Sequence, residues 1–149
     1  MISTILVPTD GSTTANGAGA YAVGLAKQLH ASIIVISIID RRLLVIRTMS
    51  VEASHVGVAE SLDDYLREAA EKSAGEIAKL CEEDGVPAKT VVIAGHPVEE
   101  IVKEAEKLKV DLIVMGSHGQ SALVAAALGS VTYGVIHKDT AIPVLVVRR

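Results

Sequence analysis

Apolar residues along this chain alternate between two habits: short unbroken runs, and stretches where they recur every three or four positions. The runs are Thr4–Pro8 (TILVP), Ser32–Ile39, Lys89–Ala94 (KTVVIA), Leu112–Met115 and Ile142–Val147. Runs this short and this uniformly apolar predict strands of a parallel sheet covered on both faces. Between them, Ala18, Tyr21, Ala22, Leu25, Ala26 and Leu29 predict a first helix with one apolar face. Leu62, Leu66, Ala69, Ala70, Ile77, Leu80 and Cys81 predict a longer second helix that stops at Gly85, with Pro87 beyond. Its outer face carries Asp64, Arg67, Glu71, Lys72 and Glu82. Val98, Ile101, Val102, Ala105 and Leu108 predict a third helix, opened by Pro97 after the turn Gly95-His96. A short fourth spans about Val131 to Lys138. The order βαβαβαβαβ predicts an α/β fold, an open parallel five-stranded sheet with right-handed crossovers and helices on both faces, in one domain over residues 1–149.

Two stretches depart from this regularity. From Asp40 to about Glu60 no period persists, and a connection this long is uncommon in a compact domain unless it serves a function. Gly17, Gly19 and Gly24 each weaken the first helix by about 1 kcal/mol relative to alanine. A close approach to the sheet is one reason to keep small residues there.

The candidate chemistry follows the fourth strand. Met115-Gly116-Ser117-His118-Gly119 and, ten residues on, Gly129-Ser130 read as a strand running into a glycine-hinged loop and then a helix start. Without a Cβ, Gly116 and Gly119 can take left-handed angles and come close to a ligand. Ser130 is expected to cap a helix beginning at Val131, whose free N–H groups favour an anion. Together these suggest a phosphate cradle at the carboxyl edge of the sheet. The polar turn Thr9-Asp10-Gly11-Ser12 would face it if the strand order reverses beside the first strand. There Asp10 either caps the first helix or accepts hydrogen bonds from a ribose or an adenine amino group, and the two roles are compatible. His118 is either a donor to a phosphate or a solvated ring at the loop tip.

Composition narrows the partners. Of 149 residues only three are aromatic, all Tyr, so no platform exists for stacking successive bases. A net charge of −4 argues against a broad basic surface for nucleic acid. Cys81 is the single cysteine, which excludes an internal disulfide and a cysteine-rich zinc site, and its apolar surroundings suggest inert core. The five His residues are scattered at spacings that suit no metal site. Ser12 and Ser130 have no evident His–Asp partners, and a P-loop lysine is absent. No apolar run approaches the roughly 20 residues that span a bilayer. The first strand follows Met1 without a basic leader, so a cytoplasmic protein is expected.

The spacing Gly116-x-x-Gly119-x9-Gly129-Ser130 resembles the G-x-x-G-x9-G-[S/T] signature of the universal stress protein family. Ile2–Asp10 (ISTILVPTD), Val110–Gly119 (VDLIVMGSHG), Gly95-His96-Pro97 with Glu99-Glu100-Ile101, and Ala141–Val147 (AIPVLVV) resemble it as well. The likeness spans the chain except about Arg41 to Glu60. It implies a Rossmann-like domain of the adenine nucleotide alpha hydrolase-like kind, with strand order 3-2-1-4-5, forming a homodimer. In its ATP-binding branch the nucleotide, ATP or AMP, lies across the switch point, with Mg²⁺ held by the phosphates rather than by a protein cage. By resemblance, Pro8, Thr9 and Asp10 form the first contacting turn, and Ile38 lines the adenine slot. Met115 and Gly116 flank adenine and ribose, while Gly119, Gly129, Ser130 and Val131 hold the phosphates.

Departures from the family pattern are Gln120 in place of a basic residue, the uncharged segment Ala122–Leu128, and Tyr133 and Gly134 in the last helix. Arg41, Arg42 or Arg47 could fold over the phosphates instead, the alternative being a solvated basic run. The expected function is a nucleotide-dependent regulatory or stress-response protein. The alternatives are a weak ATP hydrolase, for which no general base or arginine finger is evident, and a nucleotide-free dimeric interaction module. Val144 to Val147 predicts an apolar edge strand, and such an edge pairs readily with another chain. The resemblance makes that chain a second copy, joined through Pro143–Val147.

Overall fold

The computed structural model describes residues 1–42, 56–118 and 128–148, with the backbone alone for 56–60. Its elements are β1 (Thr4–Pro8), α1 (Thr13–Leu29), β2 (Ser32–Asp40), α2 (Val56–Glu83), β3 (Ala88–Gly95), α3 (Pro97–Lys107), β4 (Leu112–Gly116), α4 (Ser130–Ile136) and β5 (Val144–Val147). The strands form one parallel sheet in the order β3-β2-β1-β4-β5. The chain therefore winds one way from β1 through β2 to β3, and the other way through β4 to β5. The crevice at a reversal of this kind lies beyond the carboxyl ends of β1 and β4.

Strand alternation sends neighbouring residues to opposite faces of the sheet, and each face has its own core. Ile5, Val7, Ile33, Val35, Leu112 and Val114 pack with Ala22, Val23 and Ala26 of α1 and Ala74, Ile77 and Cys81 of α2. Leu6, Ile34, Ile36, Ile113 and Met115 pack with Val98, Ile101, Val102 and Ala105 of α3 and Val135 of α4, with half-buried Ile38 and Val131 against them. Cys81 is fully buried, and burial pushes its thiol pKa up, which keeps it an unreactive core residue.

Several boundaries differ from the pattern. α2 begins at Val56, inside the segment where no period was found. It ends as expected, with Gly85 at φ +69° and the Val86 amide donating to the Cys81 carbonyl. β5 begins at Val144 rather than Ile142. The crowded glycine of α1 is Gly19, and its neighbour is α2 rather than the sheet: a methyl there would lie 2.7 Å from Cδ1 of Ile77. Gly24 has open space around it.

Candidate functional site

Two turns meet at the crevice. The first follows β1. The Thr9 amide extends the ladder by donating to the Ile36 carbonyl (2.9 Å), and Thr9 is 6% exposed. Thr9 Oγ1 accepts from the Gly11 amide at 3.1 Å. Asp10 Oδ1 accepts from the Ser12 amide at 2.9 Å, and Gly11 takes φ +78°, an angle that favours glycine. This folds the chain back so that Ser12 becomes the N-cap of α1, its Oγ accepting from the Ala15 amide at 3.2 Å. Asp10 is thus a turn residue and not the helix cap that its position suggested. Its side chain is exposed at the carboxyl edge.

The second turn follows β4. Gly116 and Ser117 are buried, and the Ser117 amide continues the ladder to the Val147 carbonyl. The Ser117 carbonyl accepts from the Gly129 amide at 2.7 Å, which draws the return of the loop against its start. Thr132, 4% exposed in the first turn of α4, donates from Oγ1 to the Gly116 carbonyl at 2.8 Å. Gly129 is the N-cap of α4, with φ −62° and ψ 152°, and no side chain caps the helix. Ser130 is therefore the first helical residue and exposed, not the cap expected of it. Val131 is half-buried against the α3–α4 core.

The turns are tied to each other. Thr14 Oγ1, which lies 3.2 Å from Ser12 Oγ, donates to the His118 carbonyl across 104 residues of sequence. Gly116 sits under the same turn of α1, and a methyl on it would lie 2.9 Å from the Thr14 carbonyl oxygen. Its missing side chain serves this helix contact, and Gly116 is not among the residues with positive φ.

His118 is half-buried, with Nδ1 2.7 Å from Ser117 Oγ. Its Nε2 is buried and has no hydrogen-bond partner among the described residues. A buried ring nitrogen without a partner costs about 1–3 kcal/mol unless something completes it. This ring is not the solvated loop-tip histidine that the sequence left open.

Of the residues singled out from sequence, Pro8, Thr9, Met115 and Gly116 are buried at the ends of the central strands, with Asp10 exposed and His118 half-buried beside them. Ile38 and Met115 share the α3–α4 face of the sheet. Gly119, Gln120 and Arg47 lie outside the described residues, as does Ala122–Leu128 except Leu128, which is exposed. Arg41 is exposed beyond β2. Arg42 forms a fork with Asp40, donating from Nε to Oδ1 (3.1 Å) and from Nη2 to Oδ2 (2.8 Å). This pair stands at the end of β2 beside β3, whereas the glycine loop follows β4 on the far side of β1.

Ser12, Thr14, Ser117 and Thr132 were not foreseen from sequence. Ser12 was a candidate by type, a serine in the polar turn ahead of the first helix, but the apolar period begins only at Ala18 and does not fix where the helix starts. Among the described residues no group of three or more His, Cys, Asp or Glu side chains could hold a metal ion. Among them, too, no helix is long and apolar enough to cross a membrane.

Comparison with known proteins agrees with the fold. The sequence profile of the universal stress protein family matches residues 1–148. Universal stress protein MJ0531 of Methanocaldococcus jannaschii is 37% identical over 97% of this chain and 81% of its own length. Universal stress protein MJ0577 of the same organism is 37% identical over 100% of this chain and 96% of its own. The MJ0577 structure superposes with a TM-score of 0.84, at 38% identity over 100% of this chain and 97% of that one. A universal stress protein solved in complex with cAMP shares the fold, with a TM-score of 0.64 at 23% identity over 99% and 97% of the two chains.

Proposed function

This chain belongs to the universal stress protein family, and on that footing we propose that it binds an adenine nucleotide, ATP or AMP, across the switch point of its sheet. The observation that carries the reading is the orphaned Nε2 of His118, held buried at the junction of the two turns. A ribose hydroxyl or a phosphate oxygen would complete it. Thr9, Asp10, Met115 and Gly116 are the base and ribose side of this site, with Ile38 under the ring. Gly119, Gly129, Ser130 and Val131 are the phosphate side, and the phosphates carry Mg²⁺ with them. The family signature at Gly116, Gly119, Gly129 and Ser130 supports this assignment, and cAMP in a structural neighbour supports a nucleotide as the ligand class.

Nucleotide occupancy works here as a regulatory signal of the stress response in the cytoplasm rather than as a substrate for turnover. Of the titratable side chains around the two turns, Asp10 is engaged through Oδ1 by the Ser12 amide and His118 through Nδ1 with Ser117 Oγ, and Arg42 is engaged by Asp40 away from the phosphate side. Isothermal titration with ATP, AMP and cyclic AMP, followed by an overnight hydrolysis assay, tests the reading. Binding without product is expected. Absence of heat with all three would overturn it, and product above background would make the protein an enzyme.

A second proposal rests on the edge of the sheet. β5 pairs with β4 on one side, and Val144–Val147 carry no charge to discourage pairing on the other. The protein forms a homodimer through Pro143–Val147. A monomer by light scattering at micromolar concentration would contradict this.

A further inference from the structure

The end of β2 holds a second feature. Ile38 and Asp40 are alternate residues of one strand and therefore face the same side of the sheet. Asp40 is largely sunk, with a side chain 17% exposed, yet it spends both oxygens on one partner. Oδ1 accepts from the Arg42 amide at 2.9 Å and from Nε at 3.1 Å, and Oδ2 accepts from Nη2 at 2.8 Å. The hydrogen-bonded guanidinium holds the Asp40 carboxyl below its usual pKa, so the fork persists throughout the neutral range. His96, in the turn after β3, adds a smaller electrostatic contribution in the same direction. Arg42 itself stays 63% exposed, so its guanidinium is held at the edge while much of its surface remains open.

A guanidinium whose charge is already matched by a carboxylate is poorly suited to a phosphate, and its plane is well suited to an aromatic ring. Among the described residues at this end of β2, His96 is the one other flat side chain, in the turn after β3. The chain has no Phe or Trp, and its three Tyr residues are exposed on α1, α2 and α4. We propose that the Asp40–Arg42 fork is the outer wall of the base slot, the guanidinium stacking on the ring of a purine whose inner face rests on Ile38. This rests on the nucleotide reading above and assigns its base end. Asp40 is then a positioning residue that acts through Arg42.

Titration calorimetry with AMP, ADP and ATP on the full chain and on Arg42→Ala, Arg42→Lys and Asp40→Asn tests it. A residue against the base is indifferent to the number of phosphates. Arg42→Ala and Asp40→Asn are therefore expected to weaken all three ligands by one common factor of about five, the range of an exposed cation–π contact. Arg42→Lys restores the loss only in part, because an ammonium keeps a charge over the ring but has neither a plane to stack nor a fork to match Asp40. Arg42 is exposed but Asp40 is largely sunk, so each variant's melting temperature is measured beside its affinity, and affinities are compared only on protein that is fully folded at the assay temperature. A loss that grows from AMP to ATP would put Arg42 on the phosphates and overturn the inference. Unchanged affinity in the variants, with a wild type that binds, would overturn it while leaving the nucleotide reading intact. A wild type that binds none of the three would remove both.

Discussion

The two ends of the central strands handle hydrogen bonding in opposite ways. At the amino end, half-buried Asp111 precedes β4, and its Oδ2 accepts from the Ser3 amide (2.9 Å), the Ser3 hydroxyl (2.9 Å) and the Thr4 amide (3.0 Å). The Asp111 amide returns a bond to the Thr4 carbonyl. Those three donors draw the Asp111 pKa below the ordinary carboxyl value. At the carboxyl end, Thr14, Ser117, His118 and Thr132 are bound together in a comparable web, yet one buried nitrogen is left over. Short polar side chains join the β1 side to β4 at the amino end, and tie α1 and α4 to the end of β4 at the carboxyl end. The set of bonds at one end is closed and fastens strands, whereas the set at the other leaves one buried nitrogen without a partner among the described residues.

The largest expected effect comes from filling the space at the carboxyl end. Gly116→Ala forces a methyl against the Thr14 carbonyl oxygen, which is backbone and cannot swing aside. Overpacking of this kind is expected to cost about 1–3 kcal/mol. Thermal melting reads the loss, and an unchanged melting temperature would mean that α1 slides freely over β4. The next effect removes one bond from the same web. Thr132→Val keeps the side-chain shape but deletes the donor to the Gly116 carbonyl, at a cost of about 1 kcal/mol. Urea unfolding should show a lower midpoint with an unchanged slope.

The same contrast explains how far the sequence could be read. The strands were plain because each is an apolar run, and α1 and α3 were plain because one face is apolar. The sheet order came from family resemblance, since no periodicity specifies which strands become neighbours. The start of α2 was missed because Val56-Gly57-Val58-Ala59-Glu60 contains a glycine and two β-branched residues, and no apolar stripe. At the site, the identities of Thr9, Asp10 and Gly116 were readable, but their mechanical roles were not. Asp10 and Ser12 are both plausible caps, and only the Gly11 backbone angle decides for Ser12. Gly116 looked like a hinge, yet it is a contact point for α1. The bond from Thr14 to His118 links residues that only the closed sheet brings together.

At the amino end the expected effect is smaller and tied to pH. Asp111 has a depressed folded-state pKa, so its carboxylate contributes stability that is full above the unfolded value of about 3.9. That contribution fades as pH falls through the folded value. Asp111→Asn keeps the shape and removes the charge, so the wild type should melt higher than the variant at neutral pH. The gap should close in acid, below about pH 4. A gap that stays constant from pH 7 to pH 3 would mean that the charge itself contributes nothing. Nucleotide affinity should be the same in both proteins, because the bonds lost are at the far end of the strands.

The smallest effect on folding belongs to the leftover nitrogen, and it separates the two ends most clearly. His118→Asn retains a polar atom near the position of Nδ1, within reach of Ser117 Oγ, and deletes Nε2. Nε2 has no partner among the described residues and its burial carries a cost, so deleting it should leave stability at or slightly above that of wild type. If Nε2 is kept for a ligand, the same substitution should weaken ATP binding by about tenfold, the worth of one hydrogen bond to a charged group. Melting curves and titration calorimetry on one preparation give both numbers. A destabilised variant with wild-type affinity would reverse the assignment and make His118 a fastening residue like Asp111.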